Sequence, residues 1–144
     1  MDPIALAQKS AAVLIVSPAE EDHIRLGHIL GRSNWGVHAV CTCLEGLAVL
    51  REKQAQVVIC ERDLPDGDWK NILDALTLMA HPPALIVTSR LADEYLWLDV
   101  LNLGGYDVVA KPLDEKEVLW AVRSAWRDWE RQWEKSKRVH KAVA

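Results

Sequence analysis

The sequence has no long hydrophobic run and few cysteines, and each shortage excludes a class of protein. No stretch of about 18 or more apolar residues occurs, so we expect no membrane-spanning helix. Residues 1–5 are too acidic and too weakly apolar for a secretory signal, which makes a cytoplasmic location the expectation. Cys41, Cys43 and Cys60 are odd in number and lack disulfide or zinc-site spacing, so we predict buried free thiols.

The sequence also lacks a net positive charge and clustered histidines. The formal net charge of −4 argues against a nucleic-acid-binding protein, which would usually be basic. The histidines have no metal-ligand spacing, and we predict surface or loop positions for all of them: His23, His28, His38, His81 and His140. The basic segment 135–141 is predicted to be a solvated, disordered end. What remains is a 144-residue chain of ordinary globular composition, enough for one domain with a sizeable core.

Short apolar runs alternate with amphipathic segments along this chain. The runs predict strands over residues 11–16, 37–41, 56–60, 84–88 and 107–110. Helices are predicted from Pro18, over 43–54, 69–80 and 92–103, and from residue 113 onward. The first helix has Ile24, Leu26, Ile29 and Leu30 as its apolar face, while Glu20, Glu21 and Asp22 place negative charge near its positive end. Strand–helix alternation implies right-handed crossovers and a parallel sheet.

Polar residues stand where these predicted strands end. Ligands of an open parallel sheet bind outside the carboxyl ends of its strands. Ser17 and Pro18 follow the first strand, Glu61 the third, Thr88 the fourth and Lys111 the fifth. An acid, a hydroxyl and a lysine at successive strand ends are the layout of a phosphoryl-accepting site.

From about residue 11 to about residue 126, the chain resembles the receiver domain of bacterial two-component response regulators. The matching segments are residues 13–18, 58–65, 86–89 and 104–112. The resemblance implies a flavodoxin-like (βα)5 fold, a doubly wound parallel sheet with strand order 2-1-3-4-5, here with an extended C-terminal helix. It implies a domain over 11–127, preceded by an extension over 1–10 and followed by a helix extension and basic tail over 128–144.

The resemblance also implies a mechanism. In the family, paired acids after the first strand and an aspartate after the third hold Mg²⁺, and that aspartate attacks the phosphohistidine of a partner kinase. A hydroxyl and a lysine then bind the phosphoryl oxygens, and an aromatic residue on the fifth strand moves inward. Thr88 and Lys111 match these phosphoryl-contact positions, and the Lys111–Pro112 bond is expected to be cis.

Three departures from the family pattern change the expected chemistry. Glu61 occupies the phosphoacceptor position, in a register fixed by Pro65, and Val108 occupies the switch-aromatic position. Ser17 and Pro18 replace the metal-binding acids, and Mg²⁺ prefers carboxylates, so weak or absent Mg²⁺ binding and no cofactor are expected. The longer glutamate side chain moves its carboxylate about 1.5 Å outward, which misplaces an in-line nucleophile.

The leading hypothesis is a signalling module that is not an enzyme, works without phosphorylation and acts by protein–protein contact. Glu61 would then be a permanent stand-in for the phosphorylated state, or a structural ion-pair partner of Lys111. One alternative is a receiver that a histidine kinase still phosphorylates. Another is a small flavodoxin-like protein that binds a nucleotide or flavin, although no Gly-rich loop follows the first strand.

The last predicted helix carries an unusual aromatic stripe. Val118, Val122, Trp126, Trp129 and Trp133 follow helical spacing and form one apolar face. A stripe of exposed tryptophans favours an interface, so the three tryptophans are candidates for a homodimer contact or for docking a histidine kinase or another signalling protein. In the competing interpretation, the helix folds back and its aromatic residues cover the domain.

Overall fold

The computed structural model describes the backbone of residues 11–143 and the side chains of residues 11–139. The predicted N-terminal extension, residues 1–10, lies outside the described residues. The main strands are β1 Ala12–Val16, β2 Gly36–Val40, β3 Val57–Glu61, β4 Ala84–Ser89 and β5 Asp107–Ala110. The helices are α1 Glu20–Gly31, α2 Cys43–Glu52, α3 Trp69–Thr77, α4 Glu94–Leu103 and α5 Glu115–Val143. Every predicted element is therefore present, with ends that shift by a few residues.

The five main strands form one parallel sheet in the order β2-β1-β3-β4-β5. This confirms the predicted doubly wound α/β fold. The central strands β1 and β3 are the continuous apolar runs of the sequence, and their side chains are buried on both faces of the sheet. No helix of the described chain is long and apolar enough to cross a membrane.

Each face of the sheet carries its own hydrophobic core. Alternate strand residues such as Leu14 and Val58 pack with α2, α3 and α4, whereas Val13 and Ile15 pack with α1 and α5. Cys43 and Cys60 are buried in the first core, and burial raises the pKa of the Cys60 thiol. Cys41 is exposed, which corrects the prediction that all three thiols are buried, because it precedes α2 on the surface.

The acidic loop after β3, predicted only to form a turn, also caps two helices. Residues 63–64 and 67–68 form a two-stranded antiparallel hairpin. Asp66 accepts hydrogen bonds from the backbone N–H groups of Cys43 (2.8 Å) and Leu44 (3.0 Å) at the start of α2, which lowers the pKa of its carboxyl. Asp68 caps α3 in a reciprocal capping box with Asn71. The loop is therefore fixed against two helices.

Helix α5 is 29 residues long, which confirms the predicted extension. Its first turns bury Val118, Ala121, Val122 and Ala125 against the sheet. Segment 135–141, predicted to be a disordered end, is instead helical, since α5 continues through it to residue 143.

The tryptophans of α5 contact other parts of the chain. Trp126 packs edge-on against Trp35, with ring centroids 6.2 Å apart. Trp129 stacks on Trp133 at 5.7 Å, and Trp133 meets His81 edge-on at 4.3 Å. All three tryptophans are half-buried, so much of the predicted apolar stripe folds onto the body, and their assignment to an interface stays a prediction.

Candidate functional site

The ends of β3, β4 and β5 bring together the acid, hydroxyl and lysine that the sequence singles out. Glu61 pairs with Thr88 in the register of β3 and β4, and the Thr88 hydroxyl donates a hydrogen bond to Glu61 Oε2 at 3.0 Å. The Lys111 ammonium lies 2.6 Å from the same oxygen. The bond between Lys111 and Pro112 is cis, as the resemblance implies. One carboxylate oxygen thus receives both donors.

A fourth residue, Asp22 of α1, completes the cluster, and the sequence analysis missed its role. Its carboxylate Oδ2 lies 2.5 Å from the Lys111 ammonium, and the residue is 5 % exposed. Asp22 shares the buried helix face with Leu26 and Ile29, at steps of four and three residues. Ile24, predicted to lie on that face, is instead 67 % exposed. The sequence signal that could have identified Asp22 is an acid at helical spacing from the apolar residues Leu26 and Ile29.

Ser17, at the first degenerate acid position, supports Asp22. The Ser17 hydroxyl donates to Asp22 Oδ2 at 2.6 Å and accepts a hydrogen bond from the Ala19 N–H at 3.2 Å. Ser17 is buried, whereas Pro18, at the second position, is exposed. A short polar side chain after β1 therefore orients an acid that comes from the helix.

His23 fastens the same helix to the sheet. Its Nε2 lies 2.8 Å from the backbone oxygen of Ser17 and 3.1 Å from that of Val40, so an N–H at this nitrogen donates toward both carbonyls. This half-buried position corrects the prediction of a surface or loop histidine. Because His23 follows Asp22 directly, its contacts with the ends of β1 and β2 fix where the Asp22 carboxylate points.

The cluster is largely removed from solvent. The side chains of Lys111, Asp22 and Glu61 are 11 %, 7 % and 16 % exposed. Burial acts to lower the pKa of Lys111, but hydrogen bonds to Asp22 and Glu61 outweigh it, so the pKa lies above its ordinary value. Lys111 is therefore charged at neutral pH. Among the described residues, no buried side-chain nitrogen or oxygen lacks a hydrogen-bond partner.

A shallow cavity of about 630 Å³ opens beside Asp22 and Lys111. Glu21 and Arg90 lie on its lining and form an exposed ion pair of 3.2 Å. Val108, at the predicted switch-aromatic position, is half-buried and packs against the core that contains α4. The cluster is thus next to solvent, and an aliphatic side chain stands where the family has its aromatic one.

A comparison with protein families identifies the chain. The sequence profile of the response regulator receiver domain matches residues 13–123. The chain belongs to this family. Among the solved structures similar to this receiver domain, a receiver domain protein (CheY-like) from Methanospirillum hungatei JF-1 has 20% sequence identity and a TM-score of 0.76, over 85% of this chain and 98% of that one.

Two further solved structures show the same fold. The signal receiver domain of a putative Luxo repressor protein from Vibrio parahaemolyticus has 17% identity and a TM-score of 0.79, over 85% of this chain and 94% of that one. The signal receiver domain of an HD domain-containing protein from Pseudomonas fluorescens Pf-5 has 24% identity and a TM-score of 0.76, over 83% and 97%. The comparison with curated proteins gave no match.

The residues of the cluster do not fit the Mg²⁺ ion that the family implies. Ser17 and Pro18 supply no carboxylate at the positions of the paired acids. Asp22 and Glu61 are acids, but both already contact the Lys111 ammonium. Within the described side chains, no group of three or more His, Cys, Asp or Glu residues is placed to hold a metal ion.

Proposed function

We propose that this receiver domain signals without being phosphorylated, by protein–protein contact, with Glu61 as a permanent stand-in for a phosphorylated side chain. The observation that carries the proposal is the position of one oxygen, Glu61 Oε2. Thr88 and Lys111, which the resemblance assigns to the phosphoryl oxygens, both hold this oxygen at hydrogen-bonding distance. The contacts that would report an added phosphoryl group are therefore already made by the side chain itself.

The charges of the cluster argue against phosphoryl transfer. Most of the catalysis of this reaction is positioning and electrostatic stabilisation of the transferring group. Here the incoming group would meet two carboxylates, Asp22 and Glu61, with one ammonium between them. Thr88 and Lys111, the two donors that the resemblance assigns to phosphoryl oxygens, are also occupied by Glu61 Oε2 and would have to leave it to bind a transferring group. These features support a domain that keeps the architecture of the family and has lost its reaction.

The exposed surface of α4 and the loop before it supports an output through contact. Six of the twelve large apolar side chains exposed in the described part of the chain lie here: Leu91, Tyr95, Trp97, Leu98, Leu101 and Leu103. Such a concentration of exposed apolar area is typical of an interaction surface. The partner would be a histidine kinase or another signalling protein.

A homodimer through the last helix is a second form of the contact proposal. Trp126, Trp129 and Trp133 would supply it, but each is half-buried within its own chain. The apolar surface left on this helix is therefore smaller than the sequence stripe predicted.

The proposal is tested by phosphotransfer from an isotopically labelled small acyl phosphate, with and without Mg²⁺. We expect no label on the protein in either condition, because Ser17 and Pro18 supply no carboxylates that would hold a divalent cation beside Glu61. A receiver domain that carries the aspartate and both metal-binding acids serves as the positive control for the donor. Stoichiometric, Mg²⁺-dependent labelling at Glu61 would overturn the proposal in favour of a phosphorylatable receiver.

A further inference from the structure

The strand-end cluster contains three charged groups, and the one that contacts both of the others is a cation. The Lys111 ammonium lies 2.5 Å from Asp22 Oδ2 and 2.6 Å from Glu61 Oε2. Both acids therefore direct an oxygen at the same point, where a positive charge sits. Hydroxyl groups complete the shell of the two oxygens, since Ser17 donates to Asp22 and Thr88 donates to Glu61.

The ammonium is held firmly at this point. The Lys111 side chain is only 11 % exposed, and burial alone would favour the neutral form of its amine. The two hydrogen bonds nevertheless raise the pKa of Lys111 above its ordinary value, so the attraction of the acids exceeds the cost of burial. If Lys111 withdrew, Asp22 and Glu61 would face each other as buried charges without a counter-ion, which is a costly arrangement.

Asp22 comes from a helix, which makes this arrangement rigid. It lies in the first turn of α1, on the buried face of that helix. His23 ties the same turn to the backbone oxygens of Ser17 and Val40. Acids in a loop could rearrange to admit a metal, whereas the Asp22 carboxylate is fixed by its helix and by the Ser17 hydroxyl.

The geometry points to Lys111 as the built-in cation of this site, held by Asp22 and Glu61 in place of a divalent metal. A divalent cation between these carboxylates would meet the ammonium at short range, so the two occupants exclude each other. Removal of the lysine side chain therefore exposes a divalent-cation site made of Asp22, Glu61 and the two hydroxyls. This inference rests on the proposed function. It adds a physical reason for the proposed lack of phosphorylation at Glu61, namely that Lys111 occupies the place of the metal.

The test is to measure Mn²⁺ binding by calorimetry and, independently, by the electron paramagnetic resonance signal of free Mn²⁺. The intact protein is compared with Lys111→Met, with Lys70→Met as the matched control, because Lys70 is an exposed lysine whose loss changes the net charge equally. We expect Lys111→Met to bind Mn²⁺ at least about tenfold more tightly than the intact protein, because the competing charge is gone. Lys70→Met is expected to behave like the intact protein.

A double variant assigns any binding to the cluster. Lys111→Met with Asp22→Asn is expected to lose the gained Mn²⁺ affinity, since a hard cation prefers carboxylate ligands. If Lys111→Met is too unstable to titrate, thermal melting replaces the titration, and Mn²⁺ should raise its melting temperature but not that of Lys70→Met.

Each outcome decides the inference. Equal Mn²⁺ affinity of the intact protein and Lys111→Met, or a double variant that binds as tightly as the single one, would overturn it. Because no phosphoryl donor is present, failure here is distinct from failure of the proposed function. If the intact protein binds Mn²⁺ tightly but takes no phosphoryl label, only the inference that Lys111 replaces the metal is overturned. If it excludes Mn²⁺ but takes the phosphoryl label, only the proposed function is overturned.

Discussion

At the scale of single residues, the position of Asp22 decides the charge of the site. Ser17 and Pro18 leave the loop after β1 without a carboxylate, and a buried lysine needs a counter-charge. Glu61 supplies one carboxylate and Asp22 the second, each within 2.6 Å of the ammonium. Asp22 of α1 thus supplies the negative charge that Ser17 and Pro18 do not.

We predict that Asp22→Asn destabilises the protein by about 1–3 kcal/mol, the usual range when a buried charge-assisted hydrogen bond is lost. Lys111 would keep Glu61 as its partner, which limits the loss. Urea unfolding followed by tryptophan fluorescence measures the change in the free energy of unfolding.

The matched control for that measurement is Glu21→Gln, one position earlier on α1. The Glu21 side chain is 73 % exposed and forms an ion pair with exposed Arg90, so the expected change is about 0–1 kcal/mol. Equal effects of the two substitutions would contradict the role given to Asp22.

The strand-end residues were predictable, and Asp22 was not, for a physical reason. The carboxyl ends of parallel strands meet at one edge of the sheet, so Glu61, Thr88 and Lys111 follow from the strand assignment alone. Asp22 reaches the same edge only because α1 packs across the sheet and presents one particular face to it. Whether Ile24 or Asp22 lies on that face depends on how the helix is rotated about its axis. The short apolar pattern of α1 does not determine this rotation.

At the scale of elements, α5 carries two tryptophans with contrasting surroundings. Trp133 is half-buried, stacks on Trp129 and meets His81 at 4.3 Å, whereas Trp120 is 71 % exposed. The extension of the helix therefore packs on the loop before β4 through one face. This explains why a sequence stripe that suggested an interface is partly used within the chain.

We predict that Trp133→Ala lowers the free energy of unfolding by about 1–2 kcal/mol, because it removes buried aromatic area and two ring contacts. Trp120→Ala, on the same helix, should change it by less than about 0.5 kcal/mol. Thermal or urea unfolding of both variants makes the comparison. A Trp133→Ala variant as stable as Trp120→Ala would show that the extension does not pack on the body in solution.

At the scale of the whole molecule, the buried cluster links stability to pH. The pKa of Lys111 is raised in the folded protein above its value of about 10.4 in an unfolded chain. The stabilisation that this lysine contributes is therefore fully present below that unfolded value and is lost as pH rises through the higher folded pKa.

We predict that the intact protein loses stability above about pH 10.5 more steeply than Lys111→Met does, since only the former loses the central ammonium. Both proteins share every other ionisable group, so the difference between the two curves isolates Lys111. Unfolding free energies measured at intervals from pH 7 to the alkaline limit give these curves. Lys70→Met should follow the intact protein, and parallel curves for Lys111→Met would contradict the linkage.

The sequence by itself determined the order and type of the elements, the parallel sheet and the residues at its strand ends. Apolar runs, helical spacing and strand–helix alternation are local patterns, and the rules of right-handed connection turn them into one topology. The tertiary structure alone decided which face of α1 is buried, where the α5 tryptophans lie and which groups surround Lys111. These depend on how elements distant in sequence pack together, since Asp22 and Lys111 meet only across the folded sheet.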